Sequence, residues 1–472
     1  MRILVILVFG VSAALLATPH FYLAPLVPLG VLGFFLLLRQ PEFGYHAIVF
    51  LIPFGAYRKL GGLNLPWLIA GALVLILALR LLLRVGPPLR LASNLWLPLA
   101  LLGLVSIASA YFSPFPETAH ENVFLLLAAA LFVLFGLAFI DRRGFEEILP
   151  RVLIWSITLG SLLAVSGFFF HIDLFAPPSG TEGDIVRGKG GSLDANNMSL
   201  MILFVLPLLV HRLLWQGRPG GRLLTVGLIL INLTALLTTY SRSGLLVAGW
   251  TVLLLVVENR QRIDLRRGLF GLLGLLILPL LVLPLMPESF WSRHASLGEW
   301  EDTSLQRRTS YLSAAWDAFR EHPVLGVGPG TFRKFYAETE QARAHERTDK
   351  SLERYAHNTY LEFLVGTGVL GLVLFLSLLL RAWRNFTLAR AEFRERGAEK
   401  LASLAGHYRV SLLSILTFLV VFSEPYHKYL LVALPLSQVA LWLAERKIPD
   451  AGTEVVRGVA AGPPLPAGAH VV

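Results

Sequence analysis

The first chemistry visible in this chain is the run His357-Asn358-Thr359-Tyr360-Leu361-Glu362, where a long polar stretch meets an apolar one. An imidazole with an ordinary pKa near 6.5 can take a proton from a hydroxyl at neutral pH, an effect worth roughly 10²–10⁴-fold in rate. A histidine at a helix start can equally be a cap or an interface residue. Upstream in the same stretch lie Arg307-Arg308 and the run Pro323-Val324-Leu325-Gly326-Val327-Gly328-Pro329-Gly330. Arg242 sits in Thr238-Thr239-Tyr240-Ser241-Arg242-Ser243-Gly244, a tight turn between apolar runs, where a guanidinium either snorkels to the interface or meets an anion. Arg187 opens the stretch Arg187-Gly188-Lys189-Gly190-Gly191-Ser192-Leu193-Asp194-Ala195-Asn196-Asn197, and Glu424-Pro425-Tyr426-His427-Lys428 forms a polar turn near the C-terminus. Cations with few interleaved carboxylates suit a phosphate or pyrophosphate, which Arg grips bidentately. The sequence has no Asp-x-Asp pair for a divalent metal. Charge on a leaving group would then be neutralised by Arg.

The elements that must position these groups are membrane helices. Hydrophobic residues make up 55% of the chain against 15% charged, with a mean hydropathy of +0.65. A soluble globular chain carries about 25% charged residues. With no Cys, disulfides and thiolate chemistry are excluded. The net charge of +10 fits Lys and Arg in cytoplasmic loops better than nucleic-acid binding, since no soluble basic domain accompanies it.

A span needs about 20 mainly apolar residues. Candidates fall at 3–18, 21–38, 43–57, 66–84, 95–111, 121–140, 150–170, 199–214, 223–239, 243–257, 268–286, 358–380, 409–423 and 427–444, of which 43–57 and 243–257 are short. The expected fold is all-α, a polytopic helical bundle of about 12–14 spans with one large extracytoplasmic helical loop. Its parts would be bundle helices over 1–286, the loop over 287–357, C-terminal helices over 358–447 and a disordered cytoplasmic tail over 448–472. Basic loops alternate with poorer ones from residue 80 onward, which predicts both termini in the cytoplasm and Arg187, Arg242, Arg308 and His357 all on the opposite side. Arg58 and Lys59 fit this pattern badly.

Two local expectations follow. If 306–321 is an amphipathic helix, Arg308 shares a packing face with Leu312, Ala315, Trp316 and Phe319 while Arg307 points away. Asp194 or Asn196 would cap the 199–214 helix. The glycines at 326, 328 and 330 make either a phosphate cradle or a plain turn. Glu299, Glu301 and Asp302 read as solvated loop surface.

Ser241-Arg242-x-Gly244, Arg308 ahead of the 323–328 run, and His357-Asn-x-Tyr-Leu-Glu running on to Gly366-x-Gly368-x-x-Gly371 together resemble the O-antigen ligase and polymerase family. The resemblance covers roughly residues 187–371. It implies a membrane glycosyltransferase of GT-C type, inverting and independent of metal or other cofactor. Such an enzyme moves a glycan from undecaprenyl pyrophosphate, on the periplasmic face of the bacterial inner membrane, to an acceptor hydroxyl. On the motif, Arg242 and Arg308 would hold pyrophosphate and His357 would activate the acceptor, with Arg187, Asn196, Ser241, Tyr360 and Lys428 as further substrate-binding groups. One departure is that family members often have Glu before the Gly-x-Gly, where this chain reads Leu364-Val365-Gly366. The acceptor could be lipid A–core sugar (a ligase), another lipid-linked repeat (a polymerase) or a protein hydroxyl. The different class to set against these is a lipid-linked glycan transporter, which calls for charges near the bilayer midplane and an internal repeat.

Overall fold

The structure is a computed structural model. It describes residues 24, 26–57, 59–60, 63–84, 89–170, 187–192, 194–262, 303–344 and 352–445, with a few isolated positions before residue 24 and in 284–291; for 303–308 it describes the backbone alone. Most of the 3–18 segment, the 268–286 segment, Arg58, the acidic cluster at 299–302 and the 448–472 tail lie outside the described residues.

In chain order the helices are α1 (Leu26–Arg39), α2 (Pro41–Leu51), α3 (Leu65–Leu83), α4 (Trp96–Tyr111), α5 (Pro116–Phe139), α6 (Leu149–Phe170), α7 (Ala195–Trp215), α8 (Pro219–Thr238), α9 (Arg242–Asn259), α10 (Thr303–Glu321), α11 (Phe332–Glu338), α12 (Glu340–Ala344), α13 (Thr359–Glu395), α14 (Glu399–Phe418) and α15 (Lys428–Glu445). A two-residue strand pair, Lys59–Leu60 with Leu63–Asn64, is the only sheet among the described residues. Among the described residues eight helices are long and apolar enough to cross a membrane: α3, α5, α6 with its preceding turn, α7, α8, α9, α13 and α14. The chain is an all-α polytopic membrane bundle.

The expected 43–57 span divides. Pro53 has no N–H to continue the ladder, and after α2 the chain tightens into a 3₁₀ turn, Ile52–Tyr57, with Phe54 out of helical geometry. At the centre lies α7, whose residues Met198 to Leu209 are buried without interruption. A helix apolar on every side belongs inside a bundle. It packs against α14, α8, α6 and α9, while α13 packs against α14, α15 and α4.

The fold's most consequential irregularity is in α13, which breaks at Gly368 (φ 64°, ψ −170°). The Pro323–Gly330 run docks on the break. Val327 and Gly328 donate their N–H groups to the carbonyls of Val365 and Gly366, both at 2.9 Å, and Val369 N–H reaches Pro323 O at 2.9 Å. From α4, Ser109 Oγ donates to Gly366 O at 2.7 Å, and Ser113 Oγ, beyond the helix end, donates to Val327 O at 2.6 Å. A break at membrane depth survives only when its freed backbone groups find partners inside the protein, and these supply them. The glycine run acts as a backbone dock: the N–H groups of Gly326, Val327 and Gly328 are bonded to the carbonyls of His322, Val365 and Gly366. Glycine is required on both sides: a Cβ at Gly326 would lie 2.3 Å from Val365 O, one at Gly368 2.1 Å from Val324 O, and both residues have positive φ. A Cβ at Gly366 would lie 3.0 Å from Gly328 O and 3.2 Å from Pro329 Cα.

At the bundle end away from this dock, Glu258 on α9 is clamped between Arg390 of α13 at 2.5 Å and Arg409 of α14 at 2.7 Å. Arg262 pairs with Glu399 at 2.9 Å nearby. Removing one partner from a buried set of this kind costs about 3–5 kcal/mol, so the charges there are structural.

Gly368→Ala should cost at least about 2 kcal/mol through strain and overpacking. Gly227→Ala, whose added Cβ meets nothing within 4 Å, should be neutral or mildly stabilising. Thermal unfolding of both variants in detergent tests the dock. Equal midpoints would show that the break tolerates a side chain.

Candidate functional site

The candidate site lies at the adjacent starts of α7 and α9, with the start of α13 tied to α7 through the α14–α15 turn. Each start is capped by its own side chain. Asp194 accepts hydrogen bonds from the N–H groups of Asn196 at 2.7 Å and Asn197 at 3.0 Å. Ser241 Oγ accepts from Gly244 N–H at 3.0 Å. Asn358 Oδ1 accepts from Tyr360 and Leu361 N–H at 2.9 and 3.1 Å. Of the two expected caps of α7, Asp194 is the one used, and Asn196 is left to do something else.

Asn196 holds Arg187. The Arg187 Nη2 donates to Asn196 Oδ1 at 3.2 Å and its Nε donates to Thr239 O at 2.8 Å. Gly188 N–H reaches Thr238 O at 2.8 Å, so the Arg187 strand runs against the turn that carries Arg242. That turn is rigid. Thr239 Oγ1 and Ser199 Oγ are hydrogen-bonded at 2.8 Å. Tyr240 is buried at a positive φ of 52°, its ring 5.8 Å from that of Phe168. Arg242 is then the first residue of α9 and half-buried. A cation there works against the positive end of the helix dipole.

The α14–α15 turn ties this region to His357. At one end, Asn358 N–H donates to Ser423 Oγ at 3.0 Å. Thr359 is fastened three times: its N–H to Leu419 O at 2.9 Å, its Oγ1 to Phe422 O at 2.7 Å, and Glu424 N–H to its Oγ1 at 3.0 Å. At the other end His427 is buried, with Tyr429 N–H donating to its Nδ1 at 3.3 Å. Its Nε2 therefore carries the proton and donates to Asn197 Oδ1 at 2.8 Å. Burial pushes the Glu424 carboxyl up; Lys428 opposes that rise and Asp194 adds to it.

His357 itself is exposed, with a positive φ of 51°, a conformation rare for a residue with a side chain. Its turn is held from beneath by Glu362, whose buried Oε1 accepts Ala356 N–H at 2.9 Å. The imidazole lies 6.0 Å, centroid to centroid, from the ring of Tyr311 on α10. Tyr311, Phe332 and Tyr336 form a buried aromatic cluster under this face, with Ser310 Oγ and Tyr336 Oη hydrogen-bonded at 2.9 Å. Tyr360 donates its hydroxyl to Leu416 O at 2.8 Å, a tie between α13 and α14.

The helix carrying Arg308 packs differently from the expected pattern. The buried side of α10 runs through Tyr311, Ala314, Ala315 and Ala318, while Leu312 and Trp316 are exposed. Small residues make the inward face because the aromatic cluster and α13 approach closely there. Only Ala315 of the expected face is buried, and the inferred contrast between Arg307 and Arg308 loses its basis. The side chains of both arginines lie outside what the structure describes.

Arg187 is thus bonded to Asn196 and to the turn that carries Ser241 and Arg242, and the 419–428 turn, which ends at Lys428, links this region to the His357 turn. Ser423 gave no signal in sequence, and Asn197 and His427 stood inside polar stretches without a role assigned to them. Thr359 and Glu362 stood inside the histidine motif, but their tasks depend on partners more than fifty residues away or on the turn's shape. Among the described residues no group of three or more His, Asp or Glu could hold a metal ion.

Residues 227–376 match the model of a family described as O-antigen ligase. The match covers about a third of the chain and supports its likeness to the O-antigen ligase/polymerase family. The matched stretch includes Arg242, Arg308, the glycine dock and His357; Arg187, Asn196 and Lys428 lie outside it. A comparison with curated proteins finds no match.

Glu362→Ala should orphan the Ala356 N–H and cost about 1–3 kcal/mol, whereas Glu362→Gln, which keeps an acceptor oxygen, should lose much less. Chemical unfolding in detergent separates the two. Equal losses would mean that the carboxylate matters for its charge and not as an acceptor.

Proposed function

We propose that this chain is an O-antigen ligase-type enzyme that transfers a glycan from undecaprenyl pyrophosphate to an acceptor hydroxyl, with inversion and without metal. The observation that supports the reading is that Arg187 is bonded to the turn carrying Arg242, while the 419–428 turn ties the start of α7 to the His357 turn. Helix N-termini and guanidinium groups both favour an anion. A pyrophosphate bound there would offset the cost of placing Arg242 against the helix dipole.

In the proposed step the acceptor oxygen attacks the anomeric carbon of the donor. The bond from that carbon to the pyrophosphate oxygen breaks, and its electron pair leaves with the lipid pyrophosphate. The acceptor proton passes to the imidazole of His357, exposed and fixed on its strained turn. Arg242 and Arg308 stabilise the charge that grows on the leaving group, and Arg187, oriented by Asn196 and Thr239, supports it. Asn196 and Ser241 act by holding Arg187 and the Arg242 helix start. Tyr360 positions α13, and Lys428 adds positive charge at the rim. The acceptor is lipid A–core sugar on this reading, with a second lipid-linked repeat as the runner-up. The site faces the periplasm, and both termini are cytoplasmic.

The decisive assay uses protein in lipid vesicles, an undecaprenyl pyrophosphate-linked glycan, candidate acceptors and EDTA. Glycan on lipid A–core with release of lipid pyrophosphate is the expected result, and a ladder on the lipid would make the enzyme a polymerase. Donor moved between leaflets with no transfer would point to a transporter. His357→Ala should lower transfer by about 10²–10⁴-fold with donor binding retained, and unchanged turnover would overturn the base assignment. Arg242→Ala and Arg308→Ala should each weaken donor binding, about 10-fold or more for a charge-assisted contact; undiminished affinity in both would remove pyrophosphate from this site.

A further inference from the structure

Helix α10 has three faces. Tyr311, Ala314, Ala315 and Ala318 are buried; Ser313 and Asp317 are exposed and polar, hydrogen-bonded to Gln341. Between these faces runs a third, apolar one: Leu312 is 54% exposed and Trp316 52%, with the Phe319 ring tilted against that of Trp316 at 5.8 Å. Arg320 places its guanidinium 5.1 Å over Trp316, at the polar border of the stripe.

The stripe is continuous with a surface of known kind. Just beyond α10, Val324 is 52% exposed, and Pro323 O is bonded to Val369 N–H. Val369, Leu370 and Val373 are the outward residues of α13, one of the helices long and apolar enough to cross the membrane. The outward face of such a helix is covered by lipid. An apolar stripe that begins at its edge, carries a Trp and is bordered by an Arg has the composition of an interfacial helix.

We propose that α10 is docked on the bilayer at the site end of the bundle, with Leu312, Trp316, Phe319 and Val324 immersed among the acyl chains. The helical register then puts position 308 one turn before Leu312, on the same edge of the helix. The docking does not rest on the proposed donor.

The chain has no Cys, so single cysteines can be labelled without background. Nitroxides at Leu312→Cys and Trp316→Cys would be compared with Ser313→Cys and Asp317→Cys in phosphatidylethanolamine–phosphatidylglycerol vesicles. Collision rates with oxygen and with a water-soluble nickel chelate give the depth of each label. Labels at 312 and 316 should favour oxygen several-fold over the chelate, and labels at 313 and 317 the reverse. Chelate access at all four positions would mean a solvated loop helix. Shielding of 312 and 316 from both reagents would mean a protein partner on the stripe. Either result overturns the proposal, and neither depends on glycosyl transfer.

Discussion

Thr359 is the point on which the rest of this structure hangs. Its backbone N–H, which no helix can satisfy at its own first turn, goes to the last carbonyl region of α14. Its hydroxyl then both donates to Phe422 O and accepts from Glu424 N–H. One side chain thereby fixes the height of α13 against the α14–α15 turn, and the histidine two positions earlier inherits that height. In a membrane a helix can slide against its neighbours at little cost in apolar contact, because lipid and leucine are equally apolar. Directional hydrogen bonds at the helix end remove that freedom.

The break at Gly368 serves the same end. It isolates a short helical piece, held at its start by Thr359 and at its finish by the Pro323–Gly330 run. The loop helix α10 and the membrane helix α13 are thus joined through backbone atoms, which leave no room for rotamer changes. Tyr311 on the first reaches His357 ahead of the second with two such constraints behind it. Preorganisation of this kind is what a proton-transfer group needs.

Most of the fold was legible because membrane helices declare themselves by length and hydropathy: the ranges of α3, α4, α7, α8 and α9 agree with the expected spans to within a few residues. The 43–57 segment misled because its hydropathy passes over a proline that the backbone cannot ignore. The cations were legible as residue types in unfavourable places. Their supports were not, since Ser423, Asn197 and His427 are unexceptional residues whose meaning lies in what they touch. The face of α10 was misjudged for a related reason. Apolar periodicity says that a side is sheltered from water, and it cannot say whether protein or lipid provides the shelter. Alanines marked the protein side, and the larger Leu312 and Trp316 marked the other.

The 419–428 turn gives this protein a timetable. A chain is made from its N-terminus, so Arg187 and Arg242 are in place, with the helices that carry them, long before this turn exists. His357 follows, but the partners that hold Asn358 and Thr359 arrive only with the last pair of helices. A chain truncated before this turn would carry Arg187 and Arg242 without the partners that anchor Asn358 and Thr359. The height of His357 is therefore fixed only once α14 and α15 have both been made.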